Sequence, residues 1–141
     1  MPRPVRRSGL TMPINNPRFV DRSWTRDCDY LNFDLEDSVP QSQKDYARSQ
    51  VRHAIVQGQK GAAEINIRIN CAYPDADVPA AVWPGVKQIN FPKAETGAQI
   101  RHLDALITEL ERVRGIRSGT VRIGATVETT LGVANSYEIA S

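Results

Sequence analysis

Apolar positions along the chain follow two alternating patterns, one with a period of two residues and one with a helical period. The period of two predicts five strands, over residues 8–13, 29–35, 64–70, 86–91 and 121–127. Each gap between them is long enough for a helix, and no hairpin turn such as Asn-Gly joins two of them. Strands that alternate with helices in this way predict a parallel sheet.

The helical period predicts the connections between the strands. Apolar spacing predicts one helix over residues 42–57 and a longer one that begins after Thr96, its N-cap, and ends at Gly115. The proline-rich segment after the third strand leaves room for only a short helix, around residues 78–82, and residues 132–140 begin a fifth helix. No glycine-rich turn follows an early strand, which argues against a nucleotide-binding open sheet.

Polar side chains lie on one face only of the second, third and fifth strands. In the third strand, for example, isoleucines alternate with Asn66, Arg68 and Asn70. A strand covered by helices on both faces of an open sheet should be apolar on both. A one-sided pattern instead predicts a barrel with a polar lumen and an apolar outer face under the helices. The inward face of the fourth strand stays unassigned, because Ile89 and Phe91 share parity with Lys93.

The predicted fold class is therefore α/β, of the TIM (β/α)8 barrel type, with about the first five βα units present. Residues 1–141 are interpreted as the N-terminal part of a single barrel domain whose C-terminal strands are absent. Barrels of this type typically have about 250 residues.

Composition restricts the partners and the compartment. A net charge of +2 gives no support for a nucleic-acid partner, and the sequence has no apolar run long enough for a membrane span. The N-terminal arginines, Arg3, Arg6 and Arg7, are expected to form a solvated terminus, with contact to phosphates as the alternative. No apolar segment follows them, so a secretory signal is not expected. Two cysteines without metal-type spacing indicate a reducing compartment. The predicted location is cytoplasmic, with a short organellar presequence as the open alternative.

The candidate chemistry lies at the carboxyl ends of the predicted strands, where barrel active sites are found. The second strand ends in Asp34, Glu36 and Asp37, the third in Arg68 and Asn70, the fourth in Lys93 and Glu95, and the fifth in Glu128. Converging carboxylates suit a hard cation such as Mg²⁺, and an arginine beside them suits a substrate carboxylate or a developing oxyanion. Arg68 stands out, because an arginine in an isoleucine-rich strand requires a partner or a ligand. Asp37 has an ordinary alternative as a cap of the following helix.

Several stretches of the chain resemble the HpcH/HpaI aldolase and citrate lyase β-subunit family, particularly the branch that includes the malyl-CoA lyases. They occur in the family's order and spread over nearly the whole sequence. The stretches are residues 16–19 (NPRF), 33–40 (FDLEDSVP), 67–70 (IRIN), 91–93 (FPK), 103–104 (LD) and 127–129 (VET), with Lys44, Ala47 and Arg48.

The resemblance implies a TIM barrel that cleaves or forms carbon–carbon bonds in short hydroxy acids or their CoA thioesters with Mg²⁺ or a similar divalent cation. By its motifs, Glu128 binds the metal and contributes to the substrate site, and Arg68 contacts substrate in a catalytic role. Glu36 and Asp37 lie beside the metal and are also expected to be catalytic. The family's second metal ligand is an aspartate of the sixth strand, expected beyond residue 141. The substrate is expected to be citryl-CoA-like or malyl-CoA-like, and the protein a homo-oligomer.

Two alternatives to an active lyase stay open. One is a truncated fragment or subunit that needs a complementing chain, because the sequence stops inside a predicted helix at Ser141. The other is a non-catalytic binding module that retains the ligand pocket.

Overall fold

Five parallel strands in a single sheet define the fold. The computed structural model describes residues 5–141, and the strands occur in the order β1-β2-β3-β4-β5, so that each strand pairs with its neighbours in sequence. The strands are β1 (Gly9–Pro13), β2 (Tyr30–Asp34), β3 (Glu64–Arg68), β4 (Val86–Phe91) and β5 (Arg122–Ala125). The helices are α1 (Pro17–Val20), α2 (Lys44–Gly58), α3 (Pro74–Ala81), α4 (Gly97–Val113), α5 (Thr130–Ala134) and α6 (Ser136–Ala140), with 3-10 turns at Ser23–Thr25 and Gln41–Gln43.

All five predicted strands are present, four of them one to three residues shorter than predicted. The helix from Thr96 is confirmed with its cap: the Thr96 hydroxyl accepts from the Gln99 amide, and the Gln99 side chain accepts from the Thr96 amide. Gly115 follows it with a φ of 64°, in the left-handed region that favours glycine.

Two helical predictions are wrong in detail, and one helix was not predicted. Helix α3 begins at Pro74, four residues before the predicted start, because proline is favourable at the first position of a helix. The predicted helix over residues 132–140 is two short helices that meet at Asn135. Helix α1 was not predicted; the Asn16 side chain caps it by accepting from the Arg18 amide.

The apolar core lies between the outer face of the sheet and the helices. Leu31 and Phe33 of β2 are fully buried, as are Ile67 of β3 and Ile89 of β4. From the helices, the buried side chains include Val51, Ala54, Ile55, Leu103 and Ile107. The predicted one-sided pattern is therefore present, and its apolar side is the face that packs against the helices.

Amide side chains join the strands across the inner face. Asn90 donates to Asn32 at 2.8 Å, Asn32 donates to Thr11 at 3.2 Å, and Gln88 donates to Asn90 at 2.6 Å. Sequential parallel strands with a polar inner face and helices outside form the arc of a barrel rather than a doubly wound sheet.

Of the N-terminal arginines, Arg6 differs from the prediction of a solvated terminus and Arg7 agrees with it. Arg3 lies outside the described residues. Arg6 is partly buried: its guanidinium donates to Glu64 of β3 at 2.6 Å and to Gln88 of β4 at 3.0 Å. Arg7 is largely exposed and pairs with Asp29 at 3.5 Å. Within residues 5–141, no helix has the length and apolar character to cross a bilayer.

Candidate functional site

The carboxyl ends of β2 to β5 bring all four predicted site residues to one rim. Glu36 and Asp37 follow β2, Arg68 ends β3, and Glu128 follows β5. Lys93, which follows β4, contacts three of them. The parallel pairing of the strands causes this convergence, because every strand ends on the same side.

Asp34 is the partner that Arg68 requires. Arg68 donates from Nε to Asp34 Oδ1 and from Nη2 to Asp34 Oδ2, both at 2.7 Å, in a bidentate ion pair. The Asp34 carboxylate is fully buried and also accepts from the amides of Glu36 and Ser38 and from the Ser38 hydroxyl. Burial disfavours its charge, but the hydrogen bonds from Arg68 and Ser38 outweigh burial and lower the pKa of Asp34.

Glu36 lies between the two cations of the rim. Its carboxylate is 3.3 Å from Arg68 Nη1 and 2.6 Å from Lys93 Nζ, and the side chain is 6% exposed. These contacts act on the cations in turn. The hydrogen bond to Asp34 raises the pKa of Arg68, and the hydrogen bond to Glu36 raises the pKa of Lys93. Both cations therefore stay protonated at neutral pH.

Lys93 links the end of β2 to the end of β5 through its contacts with Glu36 and Glu128. Its backbone conformation explains why the inward face of the fourth strand could not be assigned from the sequence. Among residues 5–141 it is the one non-glycine residue with a positive φ, 50°. This left-handed turn breaks the alternation after Phe91, so that the Lys93 side chain reaches the rim although it shares parity with buried outer residues. Its main-chain N–H donates to Glu128 Oε1 at 3.0 Å.

Asp37 is the outermost member of the group. Its side chain is 68% exposed and lies 3.4 Å from Lys93 Nζ. It does not cap the helix that follows, since α2 begins after Gln43 without a side-chain cap. Glu95 is the acidic residue that the sequence placed after the fourth strand. Its main-chain N–H donates to the Gln99 side chain, and its carbonyl accepts from the Asn135 side chain.

A cavity of about 330 Å³ opens beside Glu36. Its lining includes Glu36, Asp37, Gln41, Lys44, Cys71 and Lys93. Lys44 is a member that the sequence did not single out by chemistry: the residue is 8% exposed, and its ammonium donates to the carbonyls of Leu35 and Glu36. The sequence offered one indication of its role: Lys44 lies in the first turn of a predicted helix, where acidic residues are more usual than basic ones.

The donor set suits an oxygen-ligated cation only in part. Glu128 is exposed, and within residues 5–141 its Oε2 accepts no hydrogen bond, so this oxygen is available as a ligand. The same residues contain no cluster of three or more His, Cys, Asp or Glu side chains with metal-binding geometry. One available carboxylate still fits Mg²⁺, which is usually held by one or two carboxylates and keeps several waters.

The fold and the site together define a class, a βα-barrel protein with an acidic and basic rim at the strand ends. The sequence model of the HpcH/HpaI aldolase/citrate lyase family matches residues 7–141. The chain therefore belongs to the HpcH/HpaI aldolase/citrate lyase family, and the resemblance seen in its motifs is confirmed.

Three relatives illustrate the similarity. The citrate lyase subunit beta of Leuconostoc mesenteroides subsp. cremoris is 37% identical over 140 residues, which are 97% of this chain and 46% of that protein. An L-malyl-CoA/beta-methylmalyl-CoA lyase of Cereibacter sphaeroides is 32% identical over 148 residues, which cover 99% of this chain and 46% of the relative. The chain thus spans about half the length of the curated relatives it matches.

The third relative is a solved structure. The citrate lyase beta subunit of M. tuberculosis, complexed with oxaloacetate and magnesium, is 26% identical and superposes with a TM-score of 0.68. The superposition covers 94% of this chain and 52% of that one. It supports the assignment of the five-stranded sheet as part of a TIM-barrel-type fold.

Proposed function

We propose that this chain contributes the N-terminal part of the active site of a Mg²⁺-dependent carbon–carbon lyase that acts on a CoA thioester of the citryl-CoA or malyl-CoA type. The observation that carries the proposal is the linked group of Arg68, Glu36, Lys93 and Glu128 on one rim. The proposed reaction type is supported by relatives that are named citrate lyase beta subunits and malyl-CoA lyases.

Glu128 is the residue proposed to hold the cation, through the carboxylate oxygen that Lys93 leaves available. The second protein ligand is proposed to lie beyond residue 141, on a further strand of the same barrel domain. When bound, Mg²⁺ acts as a Lewis acid on substrate oxygens.

Arg68 is proposed to bind the anionic part of the substrate and to stabilise the charge that develops during the reaction. Asp34 occupies Nε and Nη2, which leaves Nη1 directed toward Glu36 at the rim. In the cleavage, a base takes the hydroxyl proton, the C–C bond breaks, and its electron pair forms the thioester enolate, which is then protonated. A fixed guanidinium stabilises such an anion without reorganising. Glu36 and Asp37 are proposed to hold Arg68 and Lys93 in place.

A positively charged groove supports a thioester substrate that carries phosphates. A cavity of about 560 Å³ after β1 is lined by Arg18, Arg22 and Arg26 together with Asn16, Phe19 and Asp21. Within residues 5–141 the three arginines have no ion-pair partner, whereas Asp21 pairs with His53. Unpaired arginines suit phosphate groups.

Cleavage of citryl-CoA and malyl-CoA by the purified protein, with and without Mg²⁺, tests the reaction. We expect cleavage that EDTA abolishes, and a loss of at least about 100-fold in kcat/KM in Arg68→Met and Glu128→Gln. Glu109→Gln, on the exposed surface of α4, is the matched control and should keep full activity. Full activity in both site variants would refute the assignment.

The groove has a test of its own. Arg22→Gln should raise the KM for a CoA thioester and leave unchanged the KM for the same acyl group on a short pantetheine thioester, which lacks the nucleotide phosphates. Equal effects on both substrates would exclude the groove as a phosphate site.

A non-catalytic fragment or binding subunit is the second candidate. Within residues 5–141, β1 pairs only with β2 and β5 only with β4, so two sheet edges can accept further strands. A complementing chain, or a homo-oligomer in the cytoplasm, is proposed to cover them. Light scattering tests the fragment: a stable, folded monomer would argue against a chain that needs a partner. Titration with Mg²⁺ and a CoA thioester tests the binding module, and binding without turnover would favour it over the lyase.

A further inference from the structure

Lys44, the first residue of α2, is a buried cation without a carboxylate partner. Its ammonium donates to Leu35 O at 2.6 Å and to Glu36 O at 2.5 Å, and within residues 5–141 it makes no ion pair. Burial lowers the pKa of Lys44. An ammonium placed in such a site costs free energy, which an apolar side chain of the same length would not.

The two carbonyls that Lys44 binds lie where the sheet ladder ends. The Leu35 amide still donates to Arg68 O, but β2 ends at Asp34, and the next two carbonyls point out of the ladder. The Asn70 side chain also donates to Leu35 O, at 2.9 Å. Lys44 therefore adds one hydrogen bond to each of these carbonyls, beside the one that the Asn70 side chain donates to Leu35 O and the one that the Val39 amide donates to Glu36 O at 3.1 Å.

A buried network fixes the other side of this arrangement. Asp77, fully buried in α3, accepts from the amide and the side chain of Asn70 at 2.7 Å and from Arg48 at 2.7 Å. Arg48 lies four residues after Lys44, so both project from the same face of α2 toward the ends of β2 and β3. The first turn of α2 is thus tied to both strand ends.

The Glu36 side chain starts from one of the peptides that Lys44 holds. Its carboxylate reaches Arg68 at 3.3 Å and Lys93 at 2.6 Å, and a rotation of the peptide would move it away from both. We propose that Lys44 is a positioning residue that sets the Glu36 carboxylate against Arg68 and Lys93 by holding the Leu35 and Glu36 carbonyls. Its effect on turnover rests on the proposed lyase function, whereas its contact with the carbonyls does not.

The cavity of about 330 Å³ beside Lys44 makes a rescue experiment possible. Lys44→Ala removes the equivalent of n-propylammonium, and this cation is small enough to enter through the cavity. We expect Lys44→Ala to lower kcat about 100-fold with little change in KM, because a misplaced site costs rate rather than binding. Added n-propylammonium should restore kcat saturably, whereas n-propanol should not.

Lys87→Ala is the matched control, since Lys87 is an exposed lysine of β4, and it should keep the wild-type rate and show no response to the amine. Wild-type kcat in Lys44→Ala would overturn the inference. So would a folded, slow variant that n-propylammonium does not restore.

A readout on the wild-type protein is independent of activity and of the folding of the variant. NMR should detect scalar coupling across the hydrogen bonds, from the Lys44 Nζ nitrogen to the carbonyl carbons of Leu35 and Glu36. Absence of both couplings would refute the contact. If both are present but the wild type cleaves no CoA thioester, the proposed lyase function fails while the contact stands.

Discussion

Asp34 holds the Arg68 guanidinium in a bidentate ion pair at 2.7 Å, with the carboxylate fully buried and the arginine side chain 27% exposed. The geometry limits what Arg68 can offer a ligand, because two of its three nitrogens are already engaged. It also orients the third nitrogen, which faces Glu36. The arginine at the centre of the rim is therefore a fixed cation rather than a mobile one.

Replacement of Asp34 should destabilise the protein strongly. In Asp34→Asn the guanidinium loses its carboxylate, and removal of one partner of a buried pair costs about 3 kcal/mol or more. Denaturant unfolding measures the change. Asp75→Asn, which alters an exposed pair with His102, is the control and should cost less than about 1 kcal/mol. A similar small loss in both variants would contradict the structural role of Asp34.

Acid should remove the contribution of Asp34. Its folded-state pKa lies below the unfolded value of 3.8, so the folded protein binds fewer protons than the unfolded chain as the pH falls through this range. The stabilisation is therefore complete above pH 3.8 and is lost as the pH falls through the lower, folded-state value. Urea unfolding at a series of acidic pH values should show a steeper loss in the wild type than in Asp34→Asn. Parallel curves would be inconsistent with a lowered pKa at this residue.

Lys93 has a left-handed backbone and an ammonium that contacts Glu36, and two substitutions can separate the contributions of these features. Lys93→Gly and Lys93→Ala both remove the ammonium, but only glycine adopts a φ of 50° without a Cβ penalty. We expect the alanine variant to be less stable than the glycine variant by about 1 kcal/mol. Both keep the main-chain N–H that donates to Glu128. Thermal unfolding compares the two, and an alanine variant of equal or greater stability would show that the turn relaxes.

Glu111 binds the loop that precedes β5, the strand that leads to Glu128. This buried carboxylate accepts from the amides of Gly119 and Val121 at 2.8 and 2.7 Å. Glu111→Gln retains one acceptor oxygen and places an NH₂ group against the other amide, so we expect a loss of about 1–3 kcal/mol. Calorimetry checks this against Glu109→Gln, an exposed neighbour expected to change stability little. Equal stability of the two variants would contradict it.

The fold could be predicted from the sequence because its determinants are local and periodic. Alternation in β2 and β3 gave the strands and the polar inner face, and Thr96 with Gln99 gave the cap of α4. Helix α1 was missed because four residues carry no periodicity, and only the cap by Asn16 marks it.

The membership of the rim was predicted, but its pairings were not. Sequence indicated that Arg68 requires a partner, and the parallel register of β2 and β3 provides Asp34 directly opposite. This register depends on packing across the sheet, which no single strand encodes. The contacts of Lys93 depend on one positive φ at a non-glycine residue, a departure from local preference that tertiary structure imposes.

The division of the sheet into an apolar outer face and an amide-rich inner face has a consequence for biosynthesis. Each βα unit buries its apolar side against the unit before it, since neighbouring strands pair in sequence order. Each newly synthesised βα unit can therefore pair with the unit before it, so folding can follow synthesis from the N-terminus. The inner face, with Asn32, Gln88 and Asn90, is polar, so a partly synthesised chain exposes little apolar surface on that side to neighbouring molecules.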